Sequence, residues 1–329
     1  MTLEHLLERF EARDPAALAR AITLVENERA GFERLLAHAY TRLGRARRIG
    51  LTGPPGAGKS TLAQGLIRAF RKEGLSVGVV AVDPTSPFTG GALLGDRIRM
   101  EEAADPQVFI RSMATRGSIG GLATTTEEVA DLLDAFGFDR ILIETVGVGQ
   151  TELDIAATAD TTVLVLVPES GDSIQTLKAG VMEVADLYVI NKSDRPGADA
   201  LRRDVEGMLA LRRGQPTRPA RPQTPLSAEA GWEPAVLTTV AIEDTGTTAL
   251  VAALDRHYAH AARSGPERTR RRLARRTRAV VERALRHWVW DTMRVDELIE
   301  RELDMVVARR KSPYDVAAEI LDQVRGVLR

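Results

Sequence analysis

Ile49-Gly50-Leu51-Thr52-Gly53-Pro54-Pro55-Gly56-Ala57-Gly58-Lys59-Ser60-Thr61 joins a short apolar run to a glycine-rich turn and the start of a helical pattern. Residues 53–60 match G-x-x-x-x-G-K-[ST], with a strand before and a helix after, as the mechanism of that motif requires. The glycines let the backbone curl until its N–H groups point inward at phosphate oxygens, and the helix N-terminus adds the positive end of its dipole. In such a loop Lys59 supplies charge to the outer phosphates and the Ser60 hydroxyl ligates Mg²⁺. Gly53, Pro54, Pro55, Gly56, Ala57, Gly58, Lys59, Ser60 and Thr61 are therefore candidate nucleotide-binding residues.

Four more short, β-rich apolar runs follow the one at 49–51, at 77–82, 141–143, 162–167 and 188–190, with a weaker one at 108–110. Helical stretches separate most of them, and such alternation is the signature of a parallel sheet covered on both faces. The expected fold class is α/β: a P-loop NTPase with a mostly parallel sheet, N-terminal helices and a C-terminal helical arm. Leu3, Leu6, Leu7 and Phe10 form one helical stripe before the sheet, and Leu18, Ala21, Ile22 and Val25 form another. Residues 211–234, rich in Pro and Arg, read as a long loop; 237–242 resumes as a strand and 247–260 as a helix. Eight arginines lie between Arg263 and Arg278, over a stripe of Leu273, Val280, Ala284, Leu285 and Trp288 that suits one long helix. A last helix opens with Ser312 at the N-cap, Pro313 at the first position and Asp315 closing a capping box. Val316, Ile320, Val324 and Leu328 follow at four-residue spacing. The organisation read from this is an N-terminal helical extension (1–47), a nucleotide domain (48–262) and a C-terminal arm (263–329).

Asn191-Lys192-Ser193-Asp194 stands directly after the run at 188–190. At a strand end, the Asp194 carboxylate can accept two hydrogen bonds from a guanine edge. Adenine has the opposite donor pattern and would leave that acceptor unpaired, at a cost of roughly 1–3 kcal/mol. Four residues alone would equally suit a turn that caps a helix; behind a P-loop and intervening strands they point to GTP over ATP, with Asn191, Lys192 and Asp194 as base-site candidates. Asp83 and Glu144 end two other strand runs, where ligands of open α/β sheets collect. Glu144-Thr145-Val146-Gly147 has the form of D-x-x-G with Glu for Asp, so Glu144 can hold Mg²⁺ directly or through water and the Gly147 amide can reach a γ-phosphate. Asp96 lies in a loop that could bring a further ligand. Lys59, Glu144 and Gly147 are the catalytic candidates, and Ser60, Asp83, Asp96 and Glu144 the metal candidates. The position after Gly147 is Val148, where many small GTPases carry a water-orienting Gln; Gln150 is two residues further on. Arg97, Arg99 and Arg116 do not identify themselves as an arginine finger.

Composition narrows the classes. The 329-residue chain is 44% hydrophobic and 28% charged, with a formal charge of −1, which gives no reason to expect nucleic acid as its partner. It has no Cys, which excludes thiolate metal sites and a Cys nucleophile, and its five His are scattered. No apolar run has the length of a membrane span, and the charged N-terminus lacks the core of a signal peptide, so a cytoplasmic location is expected.

The stretch Val82-Asp83-Pro84-Thr85-Ser86-Pro87-Phe88-Thr89-Gly90-Gly91-Ala92-Leu93-Leu94-Gly95-Asp96-Arg97-Ile98-Arg99-Met100 resembles the MeaB/ArgK family. Arg116-Gly117-Ser118-Ile119-Gly120-Gly121-Leu122, Glu144-Thr145-Val146-Gly147-Val148-Gly149-Gln150 and Ala19-Arg20-Ala21-Ile22-Thr23-Leu24-Val25-Glu26 are similar to the same family. The resemblance implies a SIMIBI-class GTPase that binds GTP or GDP with Mg²⁺, forms a homodimer, and serves an adenosylcobalamin-dependent acyl-CoA mutase by gating cofactor delivery. It also implies Mg²⁺ ligation by Ser60, Asp83, Asp96 and Glu144, a switch at 168–180, and dimerisation through the C-terminal helices. A metallochaperone GTPase of the same class is the alternative, weakened by the lack of Cys pairs or a His tract. A small-molecule P-loop kinase is another, weakened by the N-K-S-D element.

Overall fold

The computed structural model describes residues 1–84, 105–115, 121–145, 158–168, 181–213, 231–263 and 266–327. Those residues form two compact units, Met1–Gly265 and Pro266–Arg329. Among the described residues the first contains seven strands: β1 (Arg47–Thr52), β2 (Val77–Pro84), β3 (Val108–Thr115), β4 (Arg140–Thr145), β5 (Thr161–Leu166), β6 (Leu187–Ile190) and β7 (Ala235–Thr238). They make one sheet in the order β3-β2-β4-β1-β5-β6-β7, every pairing parallel. All strand C-termini therefore lie along one edge, and the chain leaves β1 where the order reverses, the place at which open α/β sheets bind ligands.

Burial on both faces explains why these strands read as continuous apolar runs. In β5, Val163 and Val165 face α4 (Lys59–Lys72) and its neighbours, while Leu164 and Leu166 join the core on the other side. In β4, Leu142 shares the α4 core, and Ile141 and Ile143 face the layer that contains α5 (Gly121–Phe136). The N-terminal helices α1 (Leu3–Glu11), α2 (Pro15–Glu26) and α3 (Phe32–Tyr40) pack onto that layer, α2 and α3 against α5. Leu18, Ala21, Ile22 and Val25 are all fully buried there, in one core with Val80 and Val82 of β2. Beyond β5 come α6 (Val181–Val184) and α7 (Ala198–Arg213), and α8 (Thr247–Arg263) returns beside α4.

Two strand-and-loop expectations change. The stretch 237–242 is not one strand. β7 stops at Thr238, a 3₁₀ turn follows at Ala241–Glu243, and Ile242 is 79% exposed. The reason is tertiary: β6 ends at Ile190, Thr239 N makes the last bond to its carbonyl, and the chain then turns toward Asn191. The loop expected from 211 begins later, because α7 completes its last turn through Arg213; 214–230 lie outside the described residues.

The second unit has α9 (Pro266–His287), a π-helical turn (Trp288–Thr292), α10 (Val295–Val307) and α11 (Pro313–Val327). The expected single long helix through Trp288 ends one residue earlier. The wider π turn, closed by Met293 N to Trp288 O at 2.9 Å, re-aims Trp288 and Val289 onto the core of Val295, Val316, Ile320 and Val324. The capping box at the start of α11 forms: Ser312 N donates to Asp315 Oδ2 at 2.8 Å, and Asp315 N to Ser312 Oγ at 3.2 Å. Along α9, Val280 and Leu285 stay 39% and 52% exposed. Among the described residues no helix is long and apolar enough to cross a membrane.

Candidate nucleotide site

The turn from β1 into α4 is possible only with glycine at two points. At Gly53, φ is +138° and a Cβ would lie 2.1 Å from the Val165 carbonyl oxygen; at Gly58, φ is +84° and a Cβ would lie 2.3 Å from Asn191 Nδ2. Gly58 caps α4 without a side-chain hydrogen bond, so no capping side chain competes for the first-turn amides. Lys59, the first residue of α4, is 5% exposed, and its Nζ donates to the carbonyls of Gly53 (2.7 Å) and Pro54 (2.9 Å). The loop thus holds its own cation at its centre, which suits it to phosphate oxygens.

Ser60 Oγ donates to Glu144 Oε1 at 2.6 Å. Register brings them together: Glu144 pairs with Leu51 of β1 and with Ala81 of β2, one residue before the chain bends into the loop. The carboxylate is buried, at 1% exposure. A hydroxyl and a carboxylate with no softer donor between them fit a hard divalent ion such as Mg²⁺. Asp83 belongs to the end of β2, in register with Ala114, but its side chain lies outside the described residues. Asp96, Gly147, Val148, Gln150, Arg97, Arg99, Arg116 and the proposed switch from 169 onward also lie outside them.

The N-K-S-D element meets the phosphate loop directly. Asn191, 2% exposed, donates from Nδ2 to the Ala57 carbonyl at 2.8 Å. Its Oδ1 accepts from Thr239 Oγ1 (3.0 Å) and from the Ala241 amide (3.1 Å). Lys192 takes a left-handed backbone, φ +55°, which turns the chain so that Ser193 N reaches the Thr239 carbonyl at 3.0 Å and Asp194 is left exposed. The sequence-derived residues Gly53–Ser60, Glu144 and Asn191–Asp194 thus come together at one sheet edge. Thr239 and Ala241 were missed; they lie 48 and 50 residues from Asn191, and no motif marks them.

A family model described as methylmalonyl-CoA mutase-associated GTPase MeaB matches residues 18–294. The chain belongs to the MeaB family. A Pyrococcus abyssi protein bearing a GTPase name is 46% identical over 327 residues, 98% of this chain and 97% of its own. GTPase ArgK of Escherichia coli is 37% identical over 253 residues, 74% of this chain and 72% of its own. A crystal structure described as an LAO/AO transport system kinase has a TM-score of 0.69 at 28% identity, covering 99% of both chains. MeaB membership makes this a P-loop GTPase-family chain, and the family implies guanine-nucleotide binding.

Proposed function

We propose that this chain hydrolyses GTP with Mg²⁺ and serves an adenosylcobalamin-dependent acyl-CoA mutase, coupling hydrolysis to cofactor delivery and to protection or reactivation of the mutase. The observation that carries the nucleotide half is the bond from Asn191 Nδ2 to the Ala57 carbonyl, which joins the base-selecting turn to the phosphate loop. The mutase half is supported by the description of the matching family. In this reading Lys59 exchanges its two loop carbonyls for phosphate oxygens, and Asp194 accepts two bonds from the guanine edge. Ser60 and Glu144, with Asp83 and Asp96, would hold Mg²⁺, which supplies charge neutralisation at the outer phosphates. Val148 beside Gly147 leaves water orientation without the usual Gln, so turnover is slow alone and faster with the mutase. The half-exposed stripe of α9 supports a homodimer formed through 263–329, since two-fold pairing commonly buries such a face.

The test is phosphate release from GTP and from ATP, with and without Mg²⁺ and purified mutase, beside Lys59→Ala. Mg²⁺-dependent release from GTP, accelerated by the mutase and lost in Lys59→Ala, is expected. Equal use of ATP refutes the guanine reading, and a rate indifferent to the mutase refutes the coupling. A monomer by light scattering, with and without nucleotide, refutes the dimer.

A further inference from the structure

After β7 the chain makes a tight loop, 239–246, that carries no recognised motif. Val240 and Thr245 form an isolated antiparallel bridge, and Asp244 sits at φ +55°. Gly246 closes the loop at φ +83°, where a Cβ would lie 2.3 Å from the Thr238 carbonyl oxygen. At the tip, Arg68 of α4 grips Asp244 with both arms of its guanidinium: Nε to Oδ2 at 3.1 Å and Nη2 to Oδ1 at 2.6 Å. Gly65, nearly one turn earlier on α4, makes room, since a Cβ there would lie 2.8 Å from Asp244 Oδ1. The other end of the loop holds the base-selecting turn, through Thr239 and Ala241 on the Asn191 side chain and through the Thr239 carbonyl on Ser193 N. The turn that presents Asp194 therefore leans on the loop, and the loop leans on the helix whose first residues are Lys59 and Ser60.

We infer that Arg68 and Asp244 are positioning residues for base selection: their two-pronged pair fixes the 239–246 loop against α4 and so sets where Asp194 stands relative to the phosphate loop. The inference rests on the guanine-nucleotide reading above. Arg68 and Asp244 are 38% and 44% exposed, so as a solvent-screened ion pair alone they add little to stability. A point contact would serve that purpose; the planar fork instead fixes direction as well as distance. Asp244 holds the tip of the loop in a backbone conformation that Asn shares and most residues avoid.

The discriminating comparison uses GDP and IDP. Guanine offers Asp194 two donors, N1–H and the exocyclic amine; hypoxanthine offers only N1–H. A loosened turn forfeits the second bond first, so GDP loses affinity and IDP loses less. Titration calorimetry with GDP, IDP and ADP on the full-length protein, for wild type, Arg68→Ala, Arg68→Lys and Asp244→Asn, reads this out. The expected result is a GDP-over-IDP preference lowered about threefold to fivefold in Arg68→Ala and Asp244→Asn, an estimate scaled to the strength of such a pair. Arg68→Lys, which keeps the charge without the fork, falls between. A purely structural pair would lower the melting temperature and weaken both nucleotides alike; a wild-type GDP:IDP ratio in both Arg68→Ala and Asp244→Asn overturns the inference. Equal binding of GDP and ADP by the wild type would instead remove the guanine reading, and the positioning role with it.

Discussion

Asn191→Ala tests how the turn proposed to select the base is built. The wild-type side chain makes three hydrogen bonds, to the Ala57 carbonyl, the Thr239 hydroxyl and the Ala241 amide, at 2.8, 3.0 and 3.1 Å. Asn191, Ala57 and Ala241 are each under 5% exposed, so the truncated site gives water little access to replace them. At about 1 kcal/mol per buried bond, the variant loses about 3 kcal/mol of unfolding free energy. A domain with a typical stability of about 5–15 kcal/mol remains folded after that loss. Urea unfolding without nucleotide measures the loss, and calorimetry on the folded variant measures GDP affinity, which should fall by about tenfold or more as the turn loses its anchors. Thr239→Val removes one of the three bonds and should cost about 1 kcal/mol. The reasoning is refuted by an Asn191→Ala protein within about 1 kcal/mol of wild type, or by one that loses the stability but binds GDP undiminished.

Three further outcomes follow from other parts of the molecule. Asp194→Asn should lower the preference for GTP over xanthosine triphosphate, because an amide can donate where the carboxylate only accepts; unchanged nucleotide competition would contradict the assignment of Asp194. Arg48 is buried against Asp131 (2.8 Å) and Asp134 (3.2 Å). Burial would lower its pKa, but the carboxylates of Asp131, Asp160 and Asp134 outweigh that and raise it. Asp134 also receives the amides of Gly44, Arg45 and Ala46, so Arg48→Met should cost near the lower limit for a broken buried pair, about 3 kcal/mol, or about 6–12 °C of melting temperature. A thermal melt shifted by less than about 2 °C would contradict that. The amide and hydroxyl of Ser312 hold the Asp315 carboxyl below its ordinary range; that contribution to α11 is complete above the unfolded value near pH 4 and is lost as pH falls through the lower folded value. Protection against hydrogen exchange in the first turn of α11, taken relative to the intrinsic rate at each pH, should therefore fall on acidification, and Asp315→Asn should flatten the dependence.

The parallel sheet was legible because strands buried on both faces leave unbroken apolar runs, as in β5 and β6, and because the loop 53–60 needs particular residues at fixed spacing. The N-terminal stripes were legible for a similar reason: Leu18, Ala21, Ile22 and Val25 each meet the core, so their period survives in the sequence. What failed was the ending of elements. Leu237, Thr238, Thr239, Val240 and Ile242 give the run a strand's composition, but pairing ends with β6 and hydrogen bonds to Asn191, 48 and 50 residues away, bend the chain. Trp288 continued the stripe of α9 by period alone, and the π turn that re-aims it answers to the packing of α10 and α11. The contacts between Asn191 and its supports, and between Arg48 and its carboxylates, join residues dozens of positions apart and follow no spacing rule.

The position of Lys59 also bears on how the site fills. Its ammonium group already lies against two backbone oxygens of the loop. On the proposed reading, phosphate oxygens replace those two carbonyls around Nζ, so the bonds gained are offset by the bonds given up. On that reading a simple anion, with no base to engage Asn191–Asp194 at the far end, gains less from the exchange than a nucleotide does. Selectivity against small phosphates would then be set by what must be displaced as well as by what is gained.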